Sequence, residues 1–598
     1  MPSLTRLTLV LLLAMSAGLA LAMEQPTPSK DVKVVLVFDQ HSYFLGENIL
    51  AHYELINTGK TPVVISMVGD YRGAPRALRF KVIATSADGR VVEDPYPQVT
   101  CMGGMGGNPT VEPGKTWWES LQLLQYCDFT RPGTYTVHVY HDLGWDPEPN
   151  ELKNALPQGA HLAPIAEGKL TLVMPTPAQA REVLRRMQKL PPDNGGTWGE
   201  RRKPFADYTV LRQPVYLPLL LPAAERGEKQ ALDGIASIST PEATRALIRL
   251  AGSKHAEIAD AALEDLLQRL PSSERSWDEQ TRRRLSQRAW RAEMAPAVRT
   301  LGWQLLAADD RPHLIHGAAI LRSLGTKDDL PRFLQVFDRV LTAMKDDPVE
   351  QQAYLRPENA CDWLLATGEM LLKRGAAPPA TPHTPAEAAL FISAVHQRAD
   401  FRPAGWQQAT EKMLQHPIPF IRATTVQRLP LPLEAPFIPL VAHLLHDASP
   451  YVQGEACNLA MKAKAPEFGE DLLAVLRTAH NKWVLDAARY AADACGVTTD
   501  RWLEVCITRL DEPAVTEEMF ELLLGIITTE NGTGGAEITP ATAATLKQRW
   551  QAFLATHRAE IRAGKHYPIA QPPLTADLFP PGYRFYLRGG GQWPPEGK

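Results

Sequence analysis

Between Asp31 and Pro175 apolar and polar positions alternate with a period of two or gather in short β-branched runs, as in Val32–Phe38 and Ile49–Ile56. Such runs predict strands, because successive side chains on an extended backbone point to opposite faces. Turn chemistry falls between them at Asn57-Thr58-Gly59, Asp88-Gly89 and Pro132-Gly133. The second of these joins Lys81–Ala84 to Arg90–Val92 as a two-residue hairpin. About seven strands in this length predict an antiparallel β-sandwich over residues 31–175.

At Thr176-Pro177-Ala178-Gln179 the period changes from two to that of a helix. Threonine as N-cap, proline at the first helical position and glutamine at the third form a capping box, and Arg181 to Leu190 continue at helical spacing. The same Thr-Pro start recurs at Thr240, Thr384 and Thr539. Further on, Leu440, Val441, Leu444, Val452, Ala456 and Ala460 are matched at a constant offset of 32 by Leu472, Leu473, Leu476, Val484, Ala488 and Ala492. Two helices and two turns fit that period. One such hairpin cannot bury its apolar face alone, so neighbours must stack. Helical hairpins are therefore expected over residues 176–563, with the register lost between Asp346 and Pro382 and with terminal helices starting at Val515 and Ala541. Residues 564–598 combine Pro and Gly with Tyr583, Phe585, Tyr586 and Trp593, and are expected to form a strap packed back on the helices.

Particular phrases carry a resemblance. Phe44-Leu-Gly-Glu47 followed by Leu55-Ile-Asn-Thr-Gly59, and Glu112-Pro-Gly114 followed by Pro132-Gly-Thr-Tyr-Thr-Val137, resemble immunoglobulin-like sandwich domains of exported bacterial proteins. Asp447-Ala-Ser-Pro-Tyr-Val-Gln-Gly-Glu-Ala456 resembles the inter-helix turn and second-helix start of HEAT repeats, and Gly234 to Leu250 is similar to bacterial HEAT-like arrays. The whole resembles an exported bacterial HEAT-repeat protein with an N-terminal immunoglobulin-like domain. The resemblance implies a multidomain β + α chain: an antiparallel Ig-like β-sandwich followed by an armadillo-like α-solenoid of HEAT-like hairpins. Protein binding is the role that such a surface implies.

The first residues extend this picture. After Arg6 an apolar stretch runs from Leu7 to about Leu21 and ends in Ala20-Leu21-Ala22, the small-residue pattern of a cleaved export signal over residues 1–22. The stretch is short for a retained anchor and is interrupted by Ser16 and Gly18. The expected compartment is periplasmic or secreted, with no membrane insertion after cleavage. Export permits disulfides, and of six cysteines only Cys101 and Cys127 fall in the β region, where a bridge would fasten the base of the glycine-rich loop Cys101–Asn108. Cys361, Cys457, Cys495 and Cys506 fall in helical segments as small buried hydrophobes, a pairing of Cys495 with Cys506 staying open.

Charge and motifs narrow the chemistry. Lys+Arg number 63 against 67 Asp+Glu, a net charge of −4, which gives no global reason to expect nucleic acid. The chain carries no Gly-x-Ser-x-Gly elbow, His-Glu-x-x-His helix, Walker lysine loop or calcium loop. The glycine-rich loop lacks the lysine of a phosphate cradle, though its methionines offer a recognition surface. His443 with His446 beside Asp447, and His313 with His316, share a helix face, but two ligands do not make a metal site. His138 and His141 fall on opposite faces of a strand. Arg282-Arg-Arg284 with Arg288 and Arg291 is the most basic run, read as a solvated helix face since Glu274, Asp278, Glu279 and Glu293 flank it. Trp117, Trp118 and Trp145 are read as core. No catalytic residue, metal or cofactor is assigned. The leading expectation is an interaction or scaffold protein that binds an envelope or secreted partner with its helical face and sandwich loops. The rivals are an enzyme with a dispersed site acting on cell-wall or carbohydrate material, and a protease-inhibitor-like module.

Overall fold

The structure is a computed structural model describing residues 31–66, 76–77, 79–96, 108–145, 163–193, 199–271, 279–347, 359–398, 401–528, 534–535, 538–568, 576–580, 583–586 and 592–593. Residues 1–22, expected to be an export signal, and Cys101 lie outside the described residues. The chain divides into two compact units, Met1–Val298 and Arg299–Lys598. An N-terminal β region and a mostly helical remainder follow one another, with the change at Thr176, inside the first unit.

The β region comprises β1 (Val32–Phe38), β2 (Ser42–Phe44), β3 (Leu50–Asn57), β4 (Val63–Val64), β5 (Lys81–Ser86), β6 (Thr110–Val111), β7 (Thr116–Gln122), β8 (Gly133–Tyr140) and β9 (Ala166–Val173). One sheet is antiparallel in the order β1-β3-β7, with Leu36 opposite Tyr53 and Tyr53 opposite Glu119. A second runs β2-β9-β8-β5, antiparallel except for the β2–β9 pair, and β4 and β6 make a third ladder. The first two sheets meet where Gly168 of β9 lies against Leu36 and Phe38 of β1, and a Cβ there would come within 2.8 Å of the Phe38 ring. Ala51, Tyr53, Leu55, Ala84, Val137 and Val139 are fully buried in this core. Gly89 takes φ +82 in the expected turn after β5. Beyond it Arg90–Val92 adds a single bridge, Val91 to Thr85, rather than a full strand.

The first unit continues with α1 (Pro177–Met187), α2 (Leu217–Glu225), α3 (Lys229–Ser237), α4 (Pro241–Leu250), α5 (Ala256–Leu267) and α6 (Glu279–Ala289), and the division between units falls within α7 (Ala295–Leu305). Specific bonds tie these helices to the strands. Arg186 of α1 pairs with Glu47 at 2.6 Å, and the Tyr216 hydroxyl donates to the Leu45 carbonyl at 2.8 Å. Gly46, at φ +106, lies directly under the Tyr216 ring, where any Cβ would overlap it.

The second unit holds α8 (Arg311–Leu324), α9 (Leu330–Ala343), α10 (Ala360–Lys373), α11 (Pro385–Gln397), α12 (Trp406–Leu414), α13 (Pro419–Gln427), α14 (Ile438–Leu444), α15 (Pro450–Ala463), α16 (Gly469–Thr478), α17 (Lys482–Ala494), α18 (Thr499–Arg509), α19 (Thr516–Leu523) and α20 (Pro540–Arg562). All four Thr-Pro starts are N-caps whose hydroxyl accepts from the N3 amide. Five of the six residue pairs at offset 32 are buried on both sides, and Leu440 alone is half-buried. α13 packs on α15 and α15 on α17, in one core that runs from Leu306 to Tyr583.

Arginines close the helices. A helix leaves its last four carbonyls without intrahelical donors and carries partial negative charge there. Arg269 donates to Ile235 and Ala236 at the end of α3. Arg374 donates to Leu321, Arg322, Ser323 and Gly325 at the end of α8, and Arg509 to Leu476 and Ala479 at the end of α16. In each case the guanidinium lies at or just past the C-terminal end of a later helix, so it fastens neighbouring helices together as well as capping.

Of the C-terminal segment, Phe579 and Tyr583 meet the Phe520 ring edge to face, and Trp550 donates to the Leu578 carbonyl at 3.0 Å. No helix among the described residues is long and apolar enough to cross a membrane.

Candidate functional site

Within the first unit the β region and the helices meet along a charged seam. Arg288 of α6 pairs with Asp128 at 2.7 Å and with Glu93 at 2.9 Å. Arg284, one turn earlier, reaches Glu93 and the Asp94 carbonyl, both at 2.9 Å. Arg212 adds a contact to Asp128 at 3.6 Å. Two arginines of the basic run are thus engaged far along the chain, Arg288 with Asp128 and Glu93, 160 and 195 positions away, and Arg284 with the same Glu93, while Arg283 and Arg291 are exposed as expected of a solvated face.

A cleft of about 350 Å³ opens beside this seam, lined by Glu93, Tyr96 and Asp128 from the β region, by Arg212, and by Asp233, Ser237, Asp265 and Arg284 from the helices. A second, of about 430 Å³, lies on the other side among Ser86–Arg90, Asp128–Tyr135 and Arg288. Glu93, Asp128 and Arg288 line both, so the wall between the clefts is made of ion-paired side chains.

Asp233 and Asp265 form the helical side of the first cleft. They stand 32 positions apart on α3 and α5, which pack together. Desolvation raises both carboxyls, Asp265 to about 6, while Arg269 opposes the shift and Asp233 adds to it. Arg269 is itself buried to 1% exposure, and desolvation lowers its guanidinium to about 10. No ion pair closes on Asp233 or Asp265 among the described residues; Lys229 and Arg269 offset their desolvation only in part. The cleft therefore offers two half-buried carboxylates without direct counterions, while its guanidiniums are already engaged.

No family model matches the chain, and no curated protein matches it.

The other residues singled out in the sequence fall elsewhere. Cys127 is a fully buried thiol, pushed up to about 12 by desolvation, and its expected partner Cys101 lies outside the described residues; no disulfide occurs among those described. The glycine-rich loop lies outside them too, up to Gly107. His446 contacts Asp471 at 3.0 Å, Asp447 is held by Arg422, and His313 binds the N-cap Asp310 at 2.6 Å. His138 faces Glu167, while His141 is fully buried, accepts from the Leu143 amide and is lowered to about 3 by desolvation. Among the described residues no three His, Cys, Asp or Glu side chains gather as metal ligands. Trp117 and Trp145 are buried, and Trp118 lies beneath the Arg201 guanidinium.

One constellation has no signal in the sequence because two strands and the bend after a third build it. His52 of β3 is fully buried, its Nδ1 2.8 Å from the Ser120 hydroxyl of β7 and its Nε2 3.3 Å from Asp39 beyond β1. Arg201 and the Arg202 amide close over it, pairing with Asp39 and donating to the Ser120 hydroxyl.

Proposed function

We propose that this chain is an exported interaction protein, an Ig-like β-sandwich followed by HEAT-like helical hairpins, and that the cleft at the seam of its first unit holds a basic segment of a partner protein. Two observations support the architecture. The offset of 32 recurs in buried positions, and the Tyr135 hydroxyl donates to the Arg131 carbonyl at 2.8 Å, the corner bond common in such sandwiches. Export rests on the N-terminal apolar stretch and its Ala-Leu-Ala end.

The observation that carries the binding role is the Asp233–Asp265 pair. Both carboxylates are partly desolvated and lack direct counterions, so a lysine or arginine entering the cleft restores what burial removed. Tyr96 supplies an aromatic wall, and Ser239 adds a hydroxyl for a backbone. A photo-crosslinker at Ser237 in the full chain, applied to the envelope fraction, is expected to capture a protein through a lysine- or arginine-bearing segment. Asp233→Asn/Asp265→Asn is expected to abolish that capture. Crosslinking that the double substitution leaves unchanged would remove the cleft from the binding role.

A second reading, a hydrolase with a dispersed site, draws on Asp39, His52 and Ser120, a nucleophile with a neutral base and a carboxylate behind it. Covalent labelling of Ser120 by a fluorophosphonate would favour it over the interaction reading.

A further inference from the structure

The seam cleft is acidic before α6 is counted. Glu93, Asp128, Asp233 and Asp265 all line it, and Arg212 is the cation contributed from outside α6. The remaining two guanidiniums, Arg284 and Arg288, come from one helix, spaced one turn apart so that they project from one face. Among the described side chains of that helix, those from Arg283 to Ala289, little else holds the strands. Its sequence Glu279-Gln-Thr-Arg-Arg-Arg-Leu-Ser-Gln-Arg-Ala289 contains one large apolar residue, Leu285, which is half-buried against the cleft. Its C-terminal end is anchored in the helical layer, where Ala289 is fully buried and its carbonyl accepts from the Thr244 hydroxyl at 2.9 Å. Towards the N-terminus its described attachments are the ion pairs to Glu93 and Asp128 and the bond to the Asp94 carbonyl. Arg288 and Glu93 are each 44% exposed, and pairs of such exposure exchange readily with other charges.

We infer that α6 is a built-in competitor: Arg284 and Arg288 occupy, on Glu93, Asp94 and Asp128, part of the surface onto which a basic helical segment of the partner docks. The proposal rests on the reading of the cleft as a site for a basic segment and adds its regulation. Charge complementarity selects the occupant. Four carboxylates line the site, the chain's own arginines satisfy two of them, and the other two stay open for the partner's first contact. An incoming segment of the same character pairs first with Asp233 and Asp265, then displaces Arg284 and Arg288. α6 pivots about its Ala289 end, and the wall between the two clefts opens into one groove.

The probe is a labelled peptide copying residues 279–291 of the chain, Glu279 to Arg291, titrated by fluorescence anisotropy into the full chain at low ionic strength. Arg284→Gln/Arg288→Gln is expected to bind it about tenfold more tightly than the unsubstituted chain, because the binding-competent state no longer competes with an internal occupant. Adding Glu93→Gln/Asp128→Asn is expected to erase that gain. Equal binding by the unsubstituted chain and the double variant would overturn the competitor and leave the cleft reading standing. No binding by either folded chain would overturn both, and a gain that survives loss of Glu93 and Asp128 would place the peptide elsewhere and overturn the competitor. Should the variant fail to fold, hydrogen exchange on the unsubstituted chain decides. Peptide that lowers protection across residues 283–289 supports the displacement, and peptide that binds without changing it refutes it.

Discussion

Asp233 and Asp265 face one cleft from two helices that pack together, and Asp233 raises the cost of ionising Asp265. Burial lifts the folded-state value of Asp265 from 3.8 to about 6, so the folded chain binds its proton more tightly than the unfolded chain does. Stability from this group is therefore gained as pH falls from about 6 towards 3.8 and lost as pH rises through that window. Asp265→Asn removes the ionisation penalty. It is expected to stabilise the chain by ~1–3 kcal/mol above pH 6, with the difference from the unsubstituted chain vanishing near pH 4. Urea unfolding of both chains from pH 4 to 8 measures this. A constant offset across the range would assign the effect to packing instead.

Arg509 is 3% exposed and donates to the Leu476 and Ala479 carbonyls at 2.7 and 2.8 Å, with Glu512 on its remaining edge. Arg509→Met keeps the apolar stem but orphans two buried acceptors, so a loss of ~2–4 kcal/mol is expected. Arg509→Lys is expected to recover less than half of it, because a single ammonium does not match carbonyls that a planar fork reaches together. Thermal unfolding of the two variants gives the comparison, and equal midpoints would mean that the cap is not what the side chain contributes.

Local chemistry was readable along the chain where the partners are local. Thr176, Thr240, Thr384 and Thr539 announce helix starts because an N-cap bonds within three residues, and every one caps a helix. The repeat was readable for the same reason: burial at 452, 456 and 460 recurs at 484, 488 and 492. The seam was not. Arg284 and Arg288 have acidic neighbours in sequence, which suggested a solvated face, whereas their counterions come from loops of the β region. The Asp233–Asp265 pair carried a signal that went unused, since its spacing equals the repeat offset found further along. His52 with Ser120 and Asp39 had none, because the pairing of β3 with β7 and the bend after β1 bring them together.

Gly454 of α15 lies against the ring of Trp483 on α17, and a Cβ at position 454 would overlap it. Gly454→Ala is expected to destabilise the chain by ~1–3 kcal/mol in spite of the better helix propensity of alanine, because the ring must move out of a packed interface. Gly454→Ala/Trp483→Leu is expected to be more stable than the sum of the two single changes predicts, the coupling expected of side chains in contact. Additivity within about 0.5 kcal/mol in denaturant unfolding would show that the two positions do not touch.

The cysteines test burial and pairing in one experiment. Cys127, Cys361, Cys457, Cys495 and Cys506 are each 4% exposed or less, and desolvation pushes Cys127 and Cys506 up to about 12. The thiolate is the reactive form, so at pH 8 all five are shielded, and Cys127 and Cys506 are held protonated as well. A thiol-specific reagent is expected to modify none of the five in the native chain and all of them within the dead time once denaturant is added. Fast native labelling at Cys457 of α15, or at Cys495, whose thiol donates to the Ala460 carbonyl of α15 at 3.4 Å, would mean that α15 and α17 separate readily. Run without reductant, the count in denaturant also settles the fastening expected in the β region. Six thiols match the free Cys127 of the structure, while four, with Cys101 and Cys127 both silent, would establish the bridge that export permits.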